Sequence, residues 1–170
     1  MSLQLIDRNL KRSPYHYVGQ CILATLTISV MLLFLDVFTE TAIIAALGAS
    51  VFTVFTMPRS YAAEPRRVIG GYGVGVIIGM LCYLSMHAST HLISEETSLV
   101  LYGSLAVGLA ILAMAATNTE HAPAAGIALG LVINTWSAAT VVFIIMAMLW
   151  MVAVRHLLRR RLINLTAPLV

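Results

Sequence analysis

Six apolar runs, each free of Asp, Glu, Lys and Arg, alternate with short polar segments: Val18–Leu35, Thr41–Met57, Val68–Met86, Leu99–Ala116, Ala122–Ile133 and Ala138–Val154. The first, third, fourth and last are long enough to cross a bilayer core of about 30 Å as helices. Thr41–Met57 is about long enough. Ala122–Ile133 spans only roughly 18 Å at 1.5 Å per helical residue. The pattern predicts an all-α membrane protein in which two short segments, 41–57 and 122–133, are interrupted helices.

Loop charges predict how the chain is threaded. Arg8, Lys11 and Arg12 precede the first run, Arg59, Arg66 and Arg67 lie between the second and third, and Arg155, Arg159, Arg160 and Arg161 follow the last. These segments should be cytoplasmic. The loops holding Asp36 with Glu40, and Glu95 with Glu96, contain no Lys or Arg and belong outside. Both termini can be cytoplasmic only if the short fifth run also crosses, giving about six crossings. Three fall on each side of the acidic loop after Met86, so residues 99–155 form an inverted repeat of residues 18–86. The small-residue strings "ALGAS" (Ala46–Ser50) and "PAAGIA" (Pro123–Ala128) occupy matching short members. Paired interrupted helices in inverted repeats point to a midplane site.

Composition agrees with a membrane solvent: 60% of the 170 residues are hydrophobic and 10% charged, against about 25% charged in globular domains. Residues 1–17 form an N-terminal arm, 18–155 one transmembrane domain, and 156–170 a C-terminal tail. No small-residue cleavage site closes the first run and no Ser/Arg-rich leader precedes it. An uncleaved first span in a bacterial-type plasma (inner) membrane is therefore expected. Cys21 and Cys82 lie inside apolar runs and suggest no disulfide framework. The net charge of +3 is explained by loop placement and calls for no nucleic-acid partner.

"LGASVFTVFTMPRSYAAEPRRVIGGYGVGVIIG" followed by "EHAPAAGIALG" resembles the HPP family of membrane proteins, named for a His-Pro-Pro string that leads into small residues. The likeness runs from Tyr17 to about Arg155. It rests most on Gly48-Ala49-Ser50, Pro65-Arg66 with Gly70-Gly71, and the His121 segment. The resemblance implies transport, with nitrite as the first substrate to consider. This sequence departs from the family pattern at His121-Ala122-Pro123, where one proline is replaced, at Arg67, and at Tyr72, where histidine is more usual.

The residues permit an anion site. A helix starting near Pro123, with extended chain dipping in before it, would present free N–H groups and a positive dipole end to a cavity. Ala124, Ala125 and Gly126 would leave room for an ion, and Gly48, Ala49 and Ser50 would supply a second helix break with the Ser50 hydroxyl as donor. His121 could donate to an anion or carry a proton. Pro65, Arg66 and Arg67 would form a cationic inner mouth, and Asn134 a neutral donor. The bland counterpart is close packing of helices by small residues. Gly71, Gly75 and Gly79, four apart, make one nearly bare helix face suited to such packing.

No catalytic constellation, resident metal or cofactor is indicated. His87 and His91 near Glu95 make at most a weak surface metal pair, and Trp136 and Trp150 read as interface aromatics. The leading reading is a homo-oligomeric, non-enzymatic permease for a small inorganic anion, in contact with the lipid bilayer. The alternative is a non-transporting scaffold, sensor or assembly protein.

Overall fold

A computed structural model describes residues 14–33, 41–89, 94–135 and 137–165. Arg8, Lys11, Arg12, Asp36, Glu40, His91 and Trp136 lie outside the described residues. Among the described residues six α-helices follow one another: α1 Pro14–Leu32, α2 Thr41–Thr56, α3 Pro65–Ala88, α4 Glu95–Thr117, α5 Ala122–Ile133 and α6 Ala138–Leu158. A single 3₁₀ turn, Tyr61–Ala63, joins α2 to α3. Among the described residues there is no strand, and α1, α3, α4 and α6 are each long and apolar enough to cross a membrane.

Local chemistry sets the helix ends. Pro65 opens α3, where its missing N–H costs nothing. The Ser94 side chain accepts from Thr97 N–H at the start of α4, and Ser137 and Thr140 form a reciprocal capping box on α6. Asn118 ends α4 in the left-handed region (φ 56°), a conformation asparagine tolerates and helix ends favour. The chain then runs non-helically through His121 before α5 begins.

The helices alternate in direction. At one end, Gln20 near the start of α1 donates to the Phe55 carbonyl near the end of α2, Arg155 of α6 donates to the Pro58 carbonyl, and His121 before α5 reaches the Ala62 carbonyl. This end gathers Arg59, Arg66, Arg67, Arg155 and the Arg159–Arg161 turn. Glu95 and Glu96 open α4 at the other. Beyond α6 the chain folds back: Leu162 and Leu165 are buried, Gln20 exchanges bonds with both the N–H and the carbonyl of Ile163, and Leu165 N–H donates to the Thr56 carbonyl.

Helix α5 is the core, with seven of its twelve residues buried, including Ala124, Ile127, Ala128 and Leu131. It lies against α2, α3 and α4. The bare face of α3 makes this possible: a Cβ added at Gly75 would stand 2.5 Å from the Ala124 carbonyl oxygen, and one at Gly79 2.9 Å from that of Ala128. The expected glycine face is therefore a packing seam between α3 and α5. The outer helices expose Ile22 and Leu26 on α1 and Leu101 and Leu112 on α4, apolar surface suited to lipid.

One expectation fails here. Helix α2 is continuous from Thr41 to Thr56, with no break at Gly48-Ala49-Ser50. A single glycine flanked by alanine, serine and leucine keeps the helical hydrogen bonds, at a propensity cost of about 1 kcal/mol. The other short segment, 122–133, is a continuous helix shortened by the extended chain in front of it.

Candidate functional site

Three elements converge on His121. The residue ends the extended stretch after Asn118, and its ring is fully buried (0% exposed). Nδ1 lies 3.0 Å from the Ala62 carbonyl oxygen, Nε2 lies 2.9 Å from Ser50 Oγ, and Ser50 Oγ lies 2.7 Å from the Tyr72 hydroxyl. Ser50 and Tyr72 are 0% and 1% exposed. A carbonyl only accepts, so Nδ1 carries the proton and Nε2 of the neutral ring accepts. The Ser50 hydroxyl therefore donates to His121, and the Tyr72 hydroxyl donates to Ser50. The result is a directed chain running from α3 through α2 to the 3₁₀ turn. Adding a proton to the ring would reverse the chain and leave the Tyr72 hydroxyl to find another acceptor.

A charged cluster adjoins this chain at the basic end. Arg67 is only 5% exposed, although it sits in the first turn of α3. Its Nη1 donates to Glu120, its Nη2 donates to Asn118 Oδ1 at 2.8 Å, and its Nε lies 3.5 Å from Glu64. The guanidinium stacks over the Tyr61 ring, whose hydroxyl donates to Asn118 and Glu120. Glu120 stays partly exposed. Its own backbone N–H, the Tyr61 hydroxyl and Arg67 hold its carboxyl below the usual carboxylate range. The 3₁₀ turn and the Asn118–His121 stretch are thus locked together across the inner face of α3.

Of the residues expected at the site, Ser50, Arg67 and His121 meet here. Pro65 serves as the first residue of α3, and Pro123 as the second of α5. The others are placed differently. Arg66 is exposed, because one step along a helix turns a side chain by about 100° and only Arg67 faces inward. Ser50 is the tenth residue of α2, not a helix start. Gly48 opens onto a groove between α1 and α2, and Ala49 is exposed. The space expected beside Ala124, Ala125 and Gly126 is filled. Ala124 meets Gly71 and Gly75, Ala125 is buried, and a Cβ at Gly126 would stand 3.1 Å from that of Ala46. Asn134 caps the far end of α5, a full helix length from His121.

Four participants were not singled out from sequence. Tyr61, Asn118 and Glu120 sit in polar linkers, and the hydrogen bonds that join them to the site reach more than fifty positions along the chain. Tyr72 was noted only as a departure from a family pattern. An asparagine closing a long apolar run, a preferred left-handed position, was the one local signal.

A protein-family comparison matches residues 10–164 of the chain to the description "HPP, transmembrane region". Neither a curated protein nor a solved structure gives a match.

Proposed function

Because this chain belongs to the HPP transmembrane family, we propose that it is a multi-pass permease for a small inorganic anion, with nitrite the first candidate. One observation carries the reading: a line of polar side chains leads from Arg67 at the basic end through His121 and Ser50 to Tyr72 inside a mostly apolar bundle. Polar and ionisable groups at such positions are costly in a membrane and are the default candidates for a pathway. An anion arriving at the basic end would meet Arg67 and the Tyr61 hydroxyl. It would take the place of the Glu120 carboxylate on the guanidinium, then pass to the hydroxyls of Ser50 and Tyr72. The gathered arginines favour its approach.

The same proposal includes six crossings, with α1–α3 and α4–α6 as inverted repeats and both chain ends in the cytoplasm of a bacterial-type cell. Support comes from the alternating helix directions and from the basic and acidic ends. A homo-oligomer belongs to the same proposal. The competing scaffold reading has its own support. Both nitrogens of His121 are satisfied, and the α3–α5 glycine seam leaves no gap.

Flux decides between them. Purified protein in liposomes would be assayed for nitrite against nitrate, formate and chloride, at alkaline pH so that neutral nitrous acid contributes little. Saturable flux, lost in a folded His121→Ala variant and reduced in Arg67→Gln, is the expected result. Flux equal to empty vesicles for all four anions would overturn the permease reading.

A further inference from the structure

At the acidic end, away from the His121 chain, a cavity of about 380 Å³ lies between the end of α3, the start of α4 and the end of α5. Its polar lining comes from Tyr83, His87, Glu95, Ser98, Asn134 and Thr135, with no lysine or arginine among the lining residues. Glu95 alone would mean little, since a carboxylate in the first turn of α4 is accounted for by the helix dipole. Ser98 is different. Its side chain is buried (2% exposed), lines the cavity, and its hydroxyl has no hydrogen-bond partner among the described residues. An orphaned buried hydroxyl costs free energy, so its place in the wall of a polar cavity asks for a ligand.

The lining tells which kind. Glu95 supplies carboxyl oxygens, and Ser98 Oγ has lone pairs to offer. The last turn of α5, with carbonyls beyond its helical hydrogen bonds and the negative end of its dipole, forms another part of the wall. Acceptors from α4 and α5 with one formal negative charge suit a small cation. The volume leaves room for part of a hydration shell, at roughly 30 Å³ per water.

We propose that this cavity binds a small monovalent cation through the Glu95 carboxylate and the Ser98 hydroxyl. The proposal is independent of the anion pathway and is tested without flux. The thermal midpoint of the purified full chain in detergent would be followed as sodium chloride or methylammonium chloride replaces N-methyl-D-glucamine chloride at constant ionic strength. A saturable rise of several degrees is expected. Sodium alone acting identifies an alkali-ion site, and methylammonium acting identifies an ammonium-type one.

Glu95→Gln, at an exposed position, should raise the half-saturating concentration at least tenfold. Ser98→Ala should do two opposite things: raise the midpoint of the cation-free protein by removing the orphaned hydroxyl, and weaken the cation response severalfold. Equal midpoints in all three salts, or an unchanged response in Glu95→Gln, would overturn the proposal.

Discussion

Replacing Ser50 by alanine should be worse than its size suggests, and a second substitution should partly repair it. Ser50 Oγ is the middle of the buried chain, accepting from Tyr72 and donating to His121. Its loss leaves two fully buried groups without a partner. Each such orphan costs about 1–3 kcal/mol in proteins generally. Side-chain bonds between membrane helices average only about 0.6 kcal/mol, because the unfolded chain in the membrane also finds partners. Taking the lower bound for two orphans gives about 2 kcal/mol for Ser50→Ala. In Tyr72→Phe, Ser50 keeps His121 and one bond is lost without a charged or amide orphan, so about 0.6 kcal/mol is expected. The signs should then cross. In the Ser50→Ala background, Tyr72→Phe removes an already orphaned hydroxyl and should raise stability. Unfolding free energies from SDS titration in mixed micelles would form the double-mutant cycle. Additive losses, or a Ser50→Ala cost no greater than that of Tyr72→Phe, would refute the directed chain.

Two further tests address the frame around it. Gly75→Ala must push α3 off the Ala124 carbonyl and should cost about 1–3 kcal/mol by overpacking. Gly73→Ala, with nothing within 4 Å of the added methyl, should be neutral or stabilising in the same titration. The Glu120 carboxyl is held below its ordinary value of 4.5 in the folded chain, so its contribution to stability is present above that value and lost as the pH falls through the folded one. The midpoint difference between wild type and Glu120→Gln should therefore shrink on acidification from neutral pH to well below 4.5. A constant difference would show that Arg67 does not depend on the carboxylate.

How much of this could be read from sequence depends on whether local or distant residues decide it. Apolar runs and their charged borders are local, and the helices follow them closely: Ala122–Ile133 matches α5 residue for residue. The glycine spacing at 71, 75 and 79 is local too, and it does mark the seam with α5. A break in α2 was overread, because glycine and alanine in a membrane helix answer to a neighbour more often than they stop the helix. Which of Arg66 and Arg67 turns inward depends on how α3 is rotated about its axis, which its neighbours decide. His121 and Asn134, both expected to face the anion, lie at opposite ends of α5. Twelve helical residues hold the two ends of α5 about 18 Å apart. The Arg67 cluster was beyond reach, since Asn118 and Glu120 meet Tyr61 and Arg67 only through the tertiary fold.

The returning segment after α6 also has a mechanical meaning. Because Ile163 is gripped on both its backbone groups by Gln20 and Leu165 is tied to the end of α2, this stretch works as a hasp across the basic end. A pull applied beyond Leu165 would load α1 and α2 before it could peel α6. In a single-molecule extension experiment from that side, Gln20→Ala should convert one early cooperative rupture into gradual release of α6.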